Sequence, residues 1–321
     1  MSRSLRRLAT AAALAVAAIA PLAVAAPSAA HAATTAKLPV SYDFLAQATL
    51  TASAPATPPP GANNWGCKLS AEHPYPVILV HGTFANMDDN WQTASPVLVN
   101  HGYCVYAFNY GGASATNPVG GTGDIAASAR TLAAFVDSVL AKTGSPKVDL
   151  VGHSQGGMMP RYYINFLGGA AKVHTFVGLA SSNYGSTLDG LITLAGLLGA
   201  RGALDSGDPT PALVEQEQGS AFLASLNKTP TMPGVNYTVI ESKRDEVVTP
   251  YTNAFLPAQP NVTNITVQDQ CPVDQSDHVE IASDPTAMAD MLNALDPAHP
   301  VRVPCVPVAP LTGPPGPVPA F

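Results

Sequence analysis

The chain has 321 residues, with 15 Lys and Arg against 22 Asp and Glu, a formal charge of −7 and 46% hydrophobic residues. An acidic surface repels phosphate backbones and anionic headgroups, which excludes nucleic acid as a partner and leaves apolar contact as the route to lipid. The length suffices for one large core, and no internal repeat divides it.

Arg3, Arg6 and Arg7 precede an Ala/Leu/Val run from Leu8 to about Ala26, and Ala30-His31-Ala32 offers a small-x-small cleavage pattern, so residues 1–32 read as an export leader. Pro21 interrupts the run, which is too weakly apolar for a spanning anchor. A secreted, extracellular protein with no transmembrane anchor in its mature form is expected. Arg6-Arg7 lies in an incomplete context for twin-arginine export, which favours general secretion. Removing the leader with its three arginines takes the formal charge from −7 to −10.

Residues 33–64 are rich in Ala, Thr and Pro, are broken by Pro58-Pro59-Pro60-Gly61, and read as a weakly structured lead-in. A domain over 65–305 begins near Trp65. Pro76 to Val80 predicts a short strand leading to His81-Gly82-Thr83, followed by a helix from about Trp91 to Asn100 and a strand from Tyr103 to Phe108. Between Thr122 and Lys142, Ile125, Leu132, Phe135, Val136, Val139 and Leu140 recur at helical spacing, with Gly144 and Pro146 as stops. A strand through Val148 to Val151 then runs into Gly152-His153-Ser154-Gln155-Gly156, and a helix follows over 158–167.

Val173 to Leu179 predicts another strand. No strand is evident over about 182–233, where the apolar run Leu191 to Leu198 reads as a cap or lid over the carboxyl ends of the strands, with a buried core helix as its rival. Gly234 to Glu241 and Asn261 to Gln268 supply two more strands. Pro285 to Leu295 predicts a closing helix with Asp284 as N-cap. The chain from Pro297 is dominated by Pro and Val, and 306–321 reads as a proline-rich tail at an edge or extended. Strands alternating with helices imply an α/β fold, a mostly parallel central sheet with helices on both faces.

The stretch around Ser154 carries the chemistry. A strand entering Gly-x-Ser-x-Gly and leaving as a helix is a nucleophile elbow, in which the glycines at 152 and 156 admit a strained turn that lifts Ser154 Oγ above the sheet. A serine hydroxyl needs a base, and the base needs a carboxylate to fix its tautomer. With this elbow the chain order is Ser, acid, His. His278 and His299 lie late enough. His299 sits in the proline-rich tail, so His278 is the base, and activity should fall as it protonates near or below its reference pKa of about 6.5. Asp245 is the preferred acid, with Glu246, Glu241 and Asp277 as rivals. Gln155 and Thr83, or Phe84 in place of Thr83, supply backbone donors for an oxyanion hole. His81 reads as shaping the turn after the first core strand, and His153, which precedes the nucleophile, as a residue that can hydrogen-bond nearby loops.

Four cysteines in an exported chain predict two disulfides. Three pairings exist, and proximity favours Cys67 with Cys104 and Cys271 with Cys305. No Cys-x-x-Cys or His-x3-His spacing supports a metal site, so neither metal nor cofactor is expected.

Val80-His81-Gly82-Thr83-Phe84, Gly152-His153-Ser154-Gln155-Gly156-Gly157, Asp245-Glu246-Val247-Val248-Thr249-Pro250 and Asp277-His278 together resemble the secreted actinobacterial triacylglycerol lipases and esterases of the α/β-hydrolase superfamily, over roughly Trp65 to Cys305. The resemblance implies a serine carboxylic-ester hydrolase that cleaves lipid esters at an oil–water interface through an acyl-enzyme, with Ser154, Asp245 and His278 as triad and both disulfides formed. It also implies an α/β-hydrolase sheet reduced at its N-terminal edge, since little chain precedes Pro76. A short-chain carboxylesterase or polyester hydrolase is the alternative of the same class. An acyltransferase or a non-catalytic surface protein is the alternative of another class. The oligomeric state stays open.

Overall fold

The computed structural model of the chain describes residues 36–51, 53–205 and 210–321. The predicted export leader over 1–32 lies outside the described residues. From Lys37 onward the chain forms one unit. Its elements in order are helix α1 (Phe44–Thr51), strand β1 (Val77–Val80), α2 (Ala94–Asn100), β2 (Val105–Ala107), α3 (Ile125–Thr143), β3 (Val148–His153), α4 (Met159–Phe166) and β4 (Val173–Leu179). Four helices follow, α5 (Leu188–Leu197), α6 (Arg201–Asp205), α7 (Pro211–Gln216) and α8 (Ala221–Leu226), then β5 (Asn236–Glu241), β6 (Val262–Thr266), α9 (Val267–Gln270) and α10 (Pro285–Leu295).

The sheet has the order β2-β1-β3-β4-β5-β6, and every pairing is parallel. Successive strand residues point to opposite faces. Ile78, Val80 and Leu150 therefore pack with Leu132, Val136 and Tyr163 of α3 and α4. Val77, Leu79 and Val151 pack on the other face with Leu98 of α2 and Met288 and Met291 of α10. Burial on both faces explains why β1 reads Val-Ile-Leu-Val with no polar alternation. All strands being parallel, their carboxyl ends share one edge, and the loops after β1, β3, β5 and β6 meet there.

The helices end where local chemistry stops them. Asp124 accepts the Ala127 N–H at 2.6 Å to start α3, and Gly144, at φ 71°, closes it in the left-handed conformation. Asp284 likewise accepts the Ala287 N–H, and α10 spans the predicted residues. The predicted helix from Trp91 divides into a 3-10 turn, Asp89–Trp91, and α2, whose first turn accommodates Pro96.

The N-terminal lead-in departs from expectation. The lead-in carries α1, held by Leu45 N–H donating to Leu311 O at 2.9 Å and Phe44 N–H to Glu280 Oε2 at 3.3 Å. Further along, Asn63, in the left-handed region at φ 56°, lies along the free edge of β2. Its N–H donates to Val105 O, its side-chain amide donates to Ala107 O, and its Oδ1 accepts the Ala107 N–H, each at 2.9 Å. The C-terminal segment is extended yet attached: Gln275 N–H donates to Val308 O, and Thr286 Oγ1–H to Pro304 O. Disulfides join Cys67 to Cys104 and Cys271 to Cys305.

Candidate active site

Ser154 follows β3 directly and takes φ 55°, the left-handed conformation that a non-glycine residue adopts only where its surroundings compel it. The flanking glycines are steric necessities. A Cβ on Gly152 would lie 1.7 Å from Gly156 O, and one on Gly156 would lie 2.0 Å from Val80 O. This turn stands the hydroxyl above the carboxyl end of the sheet.

Ser154 Oγ lies 3.0 Å from His278 Nε2, and His278 Nδ1 lies 2.7 Å from Asp245 Oδ2. Asp245 Oδ1 accepts the N–H groups of Val247 and Val248, both at 2.7 Å, which fixes the carboxylate in its turn. The side chains of His278 and Asp245 are fully enclosed, and Ser154 is 3% exposed. Burial by itself pushes the His278 imidazole down, but the carboxylates of Asp245, Glu246 and Asp277 outweigh it and hold the ring above the ordinary histidine value. The expected acid limb near or below about 6.5 is thereby corrected upward.

The rivals occupy other positions. Asp277 Oδ1 accepts the N–H groups of Val279 and Glu280, so it starts the 3-10 turn after His278. Glu246 Oε2 accepts the His278 N–H at 3.3 Å. Glu241 lies buried beside Asp245. His299 pairs with Asp296 on the surface. Burial holds Glu246 and Asp277 above the usual carboxylate range.

Around the expected oxyanion position, the Phe84 N–H is taken by Gly120 O at 2.7 Å, whereas the Thr83 N–H has no acceptor among the described residues. The Gln155 side chain donates to Thr83 Oγ1 at 2.9 Å and to Gly121 O at 2.7 Å, linking the two loops. Gln216 of α7 also donates to Thr83 Oγ1, at 2.9 Å. Sequence reasoning missed Gln216, because its contact joins residues 133 apart in the chain and no local pattern marks it.

His153 donates from Nε2 to the carbonyl of His278 at 2.8 Å, and burial, then the neighbouring His278, pushes its pKa down to about 3. The ring stays neutral. Asn90, also unmarked in the sequence, accepts the Gly82 N–H at 2.8 Å and lies 3.2 Å from His153 Nδ1. His81 shapes its turn as expected, with Nδ1 donating to Gly82 O and its pKa pushed down by burial to about 4.

A cleft of about 450 Å³ adjoins these loops, walled by Phe84 and Val279, by Phe44 and Ala48 of α1, and by Leu197 and Leu198 at the end of α5. Leu191, Leu194 and Ala195 of α5 are buried in one apolar cluster with Phe44, Phe84 and Val279. Of the described residues, Glu72, Asp296 and His299 place potential metal-ligand atoms within 4.8 Å of one another. Glu72 and Asp296 also border a separate hollow with Asp149 and His174, at the amino ends of β3 and β4.

A family model described as Lipase (class 2) matches residues 74–290. Over 93 residues the chain is 44% identical to a triacylglycerol lipase of Pseudarthrobacter phenanthrenivorans, covering 27% of each chain. It is also 44% identical over 93 residues to a triacylglycerol lipase of Burkholderia plantarii, covering 27% of this chain and 24% of that one. The chain thus spans about a quarter of the length of these curated relatives. In fold it is similar to the crystal structure of Aspergillus fumigatus lipase B, with a TM-score of 0.58 at 21% identity, covering 74% of this chain and 55% of that one.

Proposed function

Since this chain belongs to the class 2 lipase family, we propose that it hydrolyses carboxylic esters of lipids, acylglycerols above all, through an acyl-enzyme on Ser154. The observation that carries this reading is the hydrogen-bonded chain from Ser154 Oγ through His278 to Asp245, with spacings of 3.0 and 2.7 Å, at the carboxyl end of a parallel sheet.

In this reading His278 Nε2 takes the Ser154 proton as Oγ attacks the ester carbonyl, and Asp245 stabilises the imidazolium that forms. The Thr83 and Gln155 N–H groups receive the oxyanion; Thr83 is preferred to Phe84 because the Phe84 N–H is already occupied. His278 then protonates the departing alkoxide, and water, deprotonated by the same ring, releases the acid. The apolar cleft beside Phe84 and Val279 suits the acyl chain of a lipid ester. Residues 65–305 form the catalytic domain, the insertion over about 182–233 acts as its cap, and residues 1–32 direct export. The reading includes disulfide-stabilised extracellular work at an oil–water interface.

Ser154→Ala is expected to abolish both ester turnover and labelling by a serine-reactive phosphonate, while circular dichroism stays unchanged. Retained turnover in that variant would overturn the assignment. Rates across an ester chain-length series, with and without an oil phase, separate a lipase from a short-chain esterase.

A further inference from the structure

We propose that Glu241 is a positioning residue for this site: a neutral carboxylic acid whose O–H donates to the Asp245 carboxylate and holds it in register with His278. The proposal rests on the Ser154–His278–Asp245 reading.

Glu241 ends β5, opposite Thr266 of β6, and has no exposed surface. Its Oε1 accepts the Ser242 N–H at 2.7 Å. Its Oε2 is wholly buried with no hydrogen-bond partner, and its carboxyl adjoins that of Asp245, whose N–H donates to Ser242 O at 3.2 Å in the same turn. Two buried carboxyl groups in contact do not both ionise, and the charge settles on the one with more donors. Asp245 has the N–H groups of Val247 and Val248 and the His278 ring, each at 2.7 Å. Glu241 has Ser242 alone. The shared proton therefore belongs to Glu241, and its Oε2, an orphan as an acceptor, is satisfied as a donor.

The electrostatics agree. Burial first, then Asp245 and Glu246, push the Glu241 carboxyl well above the usual range. Those two carboxylates are the charges that face it from its own turn. From the α9 side comes neutral Gln268, whose Nε2 donates to Ser242 Oγ at 2.9 Å, and from the His278 loop comes the Ser276 carbonyl, which accepts the Ser242 hydroxyl. An ionised Glu241 would push against Asp245, whereas a protonated one braces it.

Full-length protein carrying Glu241→Gln, which keeps a donor toward Asp245, is expected to hold kcat within about threefold of wild type, while Glu241→Leu lowers it roughly 10- to 100-fold with KM little changed. Infrared difference spectra of wild type minus E241Q at neutral pH should show loss of a protonated-carboxyl C=O stretch. A folded E241Q as impaired as E241L, an E241L with wild-type kcat, or loss of an ionised-carboxylate band would each overturn the proposal. If E241L does not fold, the E241Q rate and the infrared spectrum decide. Asp245→Asn separates the two levels. Full turnover in that variant sinks the catalytic reading itself, whereas its loss beside unaffected Glu241 variants sinks only the role given to Glu241.

Discussion

The His278 imidazole is buried yet held above its ordinary value, because carboxylates surround it. As the proposed base it would work only when neutral, so kcat/KM should fall as pH drops through a midpoint above about 6.5, the reference value. Asp245→Asn removes the nearest of those charges while burial persists. Its pH–rate midpoint should move down, and its rate should drop by very roughly 10⁴. A midpoint unmoved by the substitution would contradict the assigned coupling. The three side chains that meet in the hydrogen-bonded chain, Ser154, His278 and Asp245, were legible in the sequence, since the elbow has a steric signature and chain order leaves few bases and acids. The residues that hold them were not. Asn90 and Gln216 act through partners 63 and 133 residues away, and the role proposed for Glu241 depends on burial of a carboxyl; neither leaves a local pattern.

Helix α3 illustrates how elements are set by their ends. Asp124 is exposed, and its side chain accepts the Ala127 N–H at 2.6 Å. Asp124→Ala should cost about 1 kcal/mol in urea unfolding. Asp124→Asn, which keeps an acceptor and relieves repulsion of nearby Glu215, should cost little or nothing. Equal losses in both variants would rule out the capping account. Elements with strong periodicity or unambiguous caps, such as α3, α10 and the buried strands, were readable because their determinants lie within a few residues. Helix α1 was not: Asp43 caps it, its Oδ1 accepting the Ala46 N–H at 2.8 Å, but Phe-Leu-Ala-Gln-Ala-Thr-Leu-Thr shows no clear apolar stripe, and Glu280 and Leu311 hold its first turn from across the molecule. The tail's extended form was legible because Pro precludes a helix, but its attachment was not, since it rests on isolated backbone bonds to the His278 loop.

Across the whole molecule, each disulfide ties one end of the domain to the chain beside an edge strand of the sheet, at Cys104 before β2 and at Cys271 after β6 and α9. Cys67–Cys104 closes a separation of 37 residues and Cys271–Cys305 one of 34. Replacing either pair with Ala should cost roughly 3 to 4 kcal/mol of stability in the chain-entropy model. Chemical denaturation of each double variant measures it, and a loss under 1 kcal/mol would show the reduced chain to be restrained by other means.

Asn63 lies on the same side as the first of these bridges and imitates a missing neighbour strand with one backbone and two side-chain hydrogen bonds. A bare outer strand is a template on which another molecule's backbone can dock. Asn63→Ala is therefore expected to leave each catalytic centre working while the protein self-associates as its concentration rises, visible in light scattering. A monodisperse variant would assign that protection to other groups. On this account, the length of time a preparation stays in solution should depend on a single amide far along the chain from Ser154.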